Sequence, residues 1–162
     1  MPGDDFDAHA RALIDQNTYL VLGTVDGQGR PWTTPVYFAA QHPREFFWMS
    51  NVDARHSRNL RARASVSLVV FDSTAAVGGA RALYAAGDAA EVAPVDLASA
   101  LRVYPGPARR GGRRVTADDV SEPAPWRLYR AVVTDLWVLC PRELGMPCAA
   151  HSRADDHRAR VT

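Results

Sequence analysis

Ser50, Asn51, Arg55, His56, Ser57 and Asn59 crowd into the ten residues after the apolar run EFFWM. Hydroxyl donors, a guanidinium able to fork onto two oxygens and the open N–H groups of a helix start all favour an anion, phosphate above all. Asp53 is placed to cap a short helix over 54–64, whose apolar stripe, Leu60 and Ala64, is thin. Arg55, Arg58, Arg61 and Arg63 equally suit the solvated face of a surface helix, and spacing alone leaves both readings open. His56 without a carboxylate or metal partner in sequence reach carries little weight by itself.

Other chemistry-bearing residues are more dispersed. Thr33 and Thr34, followed by Pro35, Val36 and Tyr37, could present hydroxyl and backbone groups to a planar heterocycle, with Trp32 or Trp48 stacked on it; aromatic strand residues also serve as core. The segment Thr74-Ala75-Ala76-Val77-Gly78-Gly79-Ala80 before Arg81 is a flexible apolar loop with neither a Walker A sequence nor a dinucleotide fingerprint. Ser57 stands in no G-x-S-x-G elbow. Cys140 and Cys148 have no second cysteine pair to complete a four-ligand site and read as core or loop thiols. His151, Asp155, Asp156 and His157 could gather a metal in principle, but their Ala- and Arg-rich surroundings read as a mobile tail, so no metal is expected.

The elements that must position these groups follow from composition and pattern. The 162 residues carry 19 basic side chains, all arginine, against 18 acidic ones, for a net charge of +1. That balance gives no reason to expect nucleic acid, and the Arg109–Arg114 cluster lacks the aromatic platform of a nucleic-acid surface. No basic-then-apolar leader opens the chain and no apolar run reaches membrane-spanning length, so a cytoplasmic protein without a membrane role is expected.

Phe6, Ala10, Leu13 and Ile14 mark one stripe of a helix over 5–16, capped by Asp4 or Asp5 and stopping near Asn17. YLVLGTV at 19–25 and PWTTPVYFA at 31–39 form a hairpin across Asp26-Gly27-Gln28-Gly29-Arg30, whose glycines supply positive φ. Pro35 implies a bulge or an unpaired flank. EFFWMSN at 45–51 and VSLVVF at 66–71 are further strands, the second apolar enough for burial on both faces. ALYAAGDAAEV at 82–92 is a strand that Gly87 kinks or brings close to a neighbour, and 95–104 a helix after Pro94. Residues 105–125 read as a flexible loop, WRLYRAVVTDLWVLC at 126–140 as a long curved strand, and 141–162 as a C-terminal tail. The whole chain is expected as one domain, mainly β: a six-stranded or larger antiparallel split β-barrel with short flanking helices.

The succession GRPWTTPVYFA, FFWMSN, ARHSRNLRARASVSLVVFDS and RALYAAGDAAEV resembles the pyridoxamine 5'-phosphate oxidase-like, FMN-binding split-barrel superfamily, over about residues 8 to 140. This superfamily also includes flavin reductases and deazaflavin-dependent reductases. The resemblance implies that Ser50 offers its hydroxyl to the cofactor phosphate beside Asn51 and Ser57. Arg55 and His56 take the positions of a basic pair, Asn59 that of the amide-bearing helix residue, Thr33 to Val36 lie along the ring system, and Arg81 is the arginine of the return strand. His56 replaces the usual lysine and makes the charge there pH-dependent.

Departures restrict what is carried over. Thr34 stands where an authentic pyridoxamine phosphate oxidase has arginine, Ala82 where glutamine follows the return-strand arginine, and the Arg-x-His substrate motif is missing from the tail. The resemblance therefore implies an FMN-dependent oxidoreductase of undefined small-molecule substrate, working as a homodimer. Its alternatives are a deazaflavin-dependent reductase, for which Arg109–Arg114 would serve as a basic channel, and a non-catalytic flavin- or haem-binding protein.

Overall fold

Asp26 nucleates the first hairpin. Its carboxylate accepts the N–H groups of Gln28 and Arg30, both at 2.9 Å, and the Arg30 Nε at 2.9 Å. These donors, the Arg30 N–H first, hold its carboxyl below the usual range. In this computed structural model, which describes residues 5–41 and 43–162, the turn folds β1 (Tyr19–Val25) back on β2 (Pro31–Tyr37). Only the second turn glycine uses the left-handed region, Gly29 at φ +85°.

The remaining strands are β3 (Ala39–Gln41), β4 (Glu45–Asn51), β5 (Ser65–Phe71), β6 (Ala82–Glu91), β7 (Trp126–Leu139) and β8 (Arg158–Arg160). Every pairing is antiparallel, in the order β2-β1-β5-β6-β7-β4-β3, with β8 added to β7. The sheet curls until β2 approaches β4, as a split barrel requires. Pro35 is accommodated because β2 is an edge strand with β1 as its sheet partner.

Curvature is concentrated where the register of β6 and β7 shifts between Ala86 and Gly87. A Cβ on Gly87 would stand 2.2 Å from the Val132 carbonyl oxygen, so a bare backbone is required there. β5 is buried on one face only: Val66, Leu68 and Val70 point inward, while Ser67 and Phe71 are exposed. Its unbroken apolar run had suggested two buried faces; the outer one is covered by no element among the described residues.

Inside the curl, Leu20, Leu22, Phe46, Trp48, Leu68, Leu83 and Leu136 form the main core with Leu13 and Ile14 of α1 (Phe6–Gln16). Asp5 caps α1 by accepting the Ala8 N–H at 3.0 Å; Asp4 lies outside the described residues. On the outer face of β4, Phe47 and Leu128 pack with Ala100 of α3 (Pro94–Val103) and with Tyr104, Val115 and Val120. Residues 105–125 are consequently not a featureless loop. They hold short 3-10 turns at Ala108–Arg110 and Asp118–Val120 and bury Val115 and Val120.

The C-terminal residues also differ from a bare tail. β8 pairs with the end of β7, and Ala159 and Val161 enter the core. Alternation of two small apolar residues with arginines over so short a stretch left no readable period. Among the described residues, no helix is long and apolar enough to cross a membrane.

Candidate functional site

Period-two alternation points Phe46, Trp48 and Ser50 into the curl and Phe47 and Met49 out of it. Ser50 closes that inner row at the barrel mouth, only 6% exposed, and its Oγ lies 2.7 Å from His56 Nε2. His56 belongs to α2 (Arg55–Ala62). The chain turns between β4 and α2 on Asn51, whose Oδ1 accepts the Asp53 N–H at 2.8 Å and whose carbonyl accepts the Ala54 N–H at 3.1 Å.

The predicted Asp53 cap is not made. Ala54 occupies the N-cap position with no side-chain cap bond, because its extended dihedrals (φ −60°, ψ 145°) start the helix one residue later, at Arg55, and leave Asp53 outside the capping position. The N–H groups of the first helical turn, at Arg55, His56 and Ser57, have no intrahelical acceptor. Ser57 is fully buried, and its Oγ has no well-formed hydrogen bond among the described residues although the Tyr129 hydroxyl lies beside it. Burial holds the His56 imidazole below its ordinary pKa. This gives an uncapped helix start, a buried hydroxyl, a Ser–His pair and an adjacent guanidinium within one turn, a donor set that suits an anion.

Arg55 lies with its guanidinium carbon 4.3 Å from the centroid of the Trp32 ring, which ties α2 to the edge strand β2. Thr33 and Pro35 lie on the outer face of β2, and Thr34 and Val36 on the inner face with Val36 buried. Trp48 is not a stacking surface for a ligand: it is fully buried and stacks on Tyr129 at 5.9 Å. Trp32, 39% exposed, is the tryptophan of that pair that solvent reaches.

Two expected site residues sit apart from this turn. Asn59 is buried and donates through Nδ2 to Thr24 Oγ1 at 3.0 Å, anchoring α2 on β1. Arg81 precedes β6, whose far end, Glu91, pairs with Tyr129 near the Ser50 turn. The ten residues of β6, at most roughly 30 Å of strand, put Arg81 and the turn at opposite ends of that strand. The other arginines of α2 and its C-cap bind carbonyls: Arg58 that of Asp53, Arg61 that of Val52 at 2.9 Å, and the C-cap Arg63 those of Asp26 and Gly27 at 3.1 and 3.3 Å.

A groove of about 380 Å³ lies on the outer face of β2 and β4, between Tyr19, Tyr37, Met49, Tyr104, Arg110 and Arg113. Tyr37 donates to the Pro105 carbonyl at 2.5 Å, and Arg110 donates to the Asn17 carbonyl at 2.6 Å while its guanidinium carbon sits 4.6 Å from the Phe38 centroid. Burial, with Tyr37 beside it, pushes the Tyr104 phenol up to about 12, so it remains a neutral donor. Sequence gives Arg110 and Arg113 only within the basic Arg109–Arg114 channel of the deazaflavin alternative and Tyr104 only as a helix end, because their place at the groove depends on α3 and the following turn folding onto β4. The Pro105 stop after an apolar helix was the one local signal.

The family model described as pyridoxamine 5'-phosphate oxidase matches residues 6–127. The chain belongs to the pyridoxamine 5'-phosphate oxidase family. A pyridoxine/pyridoxamine 5'-phosphate oxidase from Bacteroides thetaiotaomicron is 29% identical over 103 residues, which cover 63% of this chain and 46% of that protein. Family resemblance extends further in fold than in sequence. The haem storage protein HutZ from Vibrio cholerae superposes with a TM-score of 0.63 at 23% identity, covering 84% of this chain and 96% of that one. A haem binding protein from Mycobacterium smegmatis gives 0.63 at 16% identity, covering 99% and 59%. The antiparallel split barrel expected for the pyridoxamine 5'-phosphate oxidase family is therefore the fold of this member, a fold also found in proteins named for haem.

Proposed function

We propose that this protein binds FMN with its phosphate at Ser50, Arg55, His56 and Ser57 and acts as an oxidoreductase on a small molecule. The observation that carries the reading is the uncapped start of α2 beside the Ser50–His56 pair and the buried Ser57 hydroxyl. Asn51 shapes the turn, and the edge strand from Thr33 to Val36 with Trp32 lies next to it. FMN held there would supply hydride or electron transfer, the protein contributing position and electrostatics. Ser50 and His56 hold the phosphate, Arg55 forks onto it, and Tyr37 and Tyr104 line a groove open to a substrate. The return-strand Arg81 could reach a phosphate turn only across a subunit boundary, which favours a homodimer with the site between two chains.

Two other readings share the fold. A deazaflavin coenzyme would use Arg110 and Arg113 at the groove, and haem is the ligand named for two of the similar folds. The hydroxyl and guanidinium set at α2 suits a phosphate better than iron. Absorbance spectroscopy of the purified protein, followed by titration of apo-protein with FMN, a deazaflavin coenzyme and haemin, separates them. FMN is expected to bind at one per chain with a perturbed flavin spectrum. A haemin Soret shift with no response to FMN would overturn the flavin reading.

A further inference from the structure

Away from the α2 turn, the loop joining β7 to β8 folds Cys140, Cys148, His151 and His157 onto one point, their ligand atoms all within 4.8 Å of one another. We propose that these four side chains form a closed structural site for a zinc ion.

Four of the six edges of the cluster have lengths near those of a zinc tetrahedron. His151 Nδ1 lies 3.5 Å from Cys140 Sγ, 3.8 Å from Cys148 Sγ and 3.1 Å from His157 Nε2, and His157 Nε2 lies 3.5 Å from Cys148 Sγ. A tetrahedron built on zinc–sulfur and zinc–nitrogen bonds has edges of about 3.6 Å for S to N and about 3.3 Å for N to N. The surrounding groups also orient the ligands. His157 Nδ1 is 2.9 Å from the Asp155 carbonyl, which fixes the proton on that nitrogen and turns the Nε2 lone pair to the cluster. The His151 ring is stacked on Phe6 of α1, centroids 5.8 Å apart and 6° from parallel, and its backbone N–H donates to Cys148 Sγ at 3.3 Å. The two thiols are not joined as a disulfide.

The ligand set differs from the one that sequence proximity suggested. Asp155 is held by Arg153 at 3.0 and 2.5 Å, and Asp156 by Arg142 at 2.6 Å, so both carboxylates are turned to guanidinium groups. The thiols take their place. Two thiolates neutralise a divalent ion, and two sulfur with two imidazole ligands in a tetrahedron select zinc over the harder cations. With all four positions filled by protein there is no open position for catalysis. The ion would instead tie Cys140, at the end of β7, to His157, at the start of β8, and close the loop between them; the Cys140 N–H already donates to the His157 carbonyl at 2.9 Å.

The test uses the untagged full chain. Metal analysis after purification and exposure to zinc is expected to give one zinc per chain, and cobalt substitution the intense d–d bands of a tetrahedral ion with thiolate charge transfer. Cys148→Ser and His157→Gln should lose both signals, whereas Asp155→Asn and Asp156→Asn keep them. Should the first two variants fail to fold, thiol alkylation of the wild-type chain decides: zinc must slow modification of both cysteines at least tenfold. Octahedral cobalt spectra, substoichiometric zinc or unprotected thiols would overturn the site.

Discussion

His56 Nε2 and Ser50 Oγ, 2.7 Å apart, join the end of β4 to the first turn of α2. Burial lowers the His56 pKa, and burial with the nearby Arg81 charge lowers that of His9. A histidine whose folded pKa is depressed contributes stability that is complete above the unfolded value of about 6.5 and is lost as pH falls toward the folded value, because the unfolded chain takes up protons first. The ligand-free protein is therefore expected to melt at progressively lower temperature as pH drops below about 6.5, with His56→Gln flattening part of that slope. Thermal unfolding followed by circular dichroism across this range measures it; an unchanged slope would mean that His56 titrates as in the unfolded chain.

FMN should reverse the sign for the same residue. A dianionic phosphate beside His56 favours the imidazolium, so the bound-state pKa exceeds the depressed free-state pKa. The added affinity is complete below the free-state value and disappears as pH rises through the bound-state value. Fluorescence titration between roughly pH 6.5 and 9, a range chosen to stay above phosphate protonation near pH 6, should show affinity falling for the wild type. His56→Lys should stay tight and His56→Gln weak throughout; three parallel profiles would place the phosphate elsewhere.

Arg55→Ala is expected to weaken FMN binding by about 1.5–3 kcal/mol, the scale of hydrogen bonds to charged groups, and to leave riboflavin affinity nearly unchanged. Calorimetry with both ligands makes the comparison. Equal losses would assign Arg55 to Trp32 alone, over which it stacks at 4.3 Å.

The proposed site takes in Arg81 only if a second chain supplies it, and Tyr19 and Phe71 are exposed on the outer sheet face. Light scattering at micromolar concentration should report about twice the chain mass of 17.7 kDa. A concentration-independent monomer would remove the interfacial site.

Legibility in the sequence followed the range of the interaction. The hairpin at Asp26, the close approach at Gly87 and the anion-favouring residues from Ser50 to Ser57 could all be read from neighbours a few positions apart, since turn chemistry and helix starts are local. The resemblance assigns Asn59 to the site, yet its amide bonds Thr24 on a distant strand, a contact that local spacing does not reveal. Trp32 and Trp48 have similar local contexts, yet one is at an edge and the other at the centre of the core, a difference set by strand order. The Cys140, Cys148, His151 and His157 cluster was hidden for the same reason: the adjacent carboxylates are taken by arginines, and only the pairing of β8 with β7 brings His157 back to Cys140.

Gly87 and Gly27 give a matched test of the curl. At Gly87 a methyl group would meet the Val132 carbonyl oxygen at 2.2 Å and the Val133 Cα at 2.6 Å, backbone atoms fixed by the pairing of β6 with β7. Relief would require the two strands to separate at the point where their register shifts, and no side-chain rotation can supply it. Gly27, in the first turn, has no atom within 4 Å of the same added carbon among the described residues, and its φ is not in the left-handed region. Gly87→Ala is therefore expected to lower unfolding free energy by about 3 kcal/mol, the upper part of the usual overpacking range, while Gly27→Ala stays within about 0.5 kcal/mol of wild type. Urea unfolding with a common m-value provides the measurement. Equal midpoints for the two variants would mean that β6 and β7 can move apart at low cost, and that the bend at Ala86 and Gly87 is not what closes the sheet.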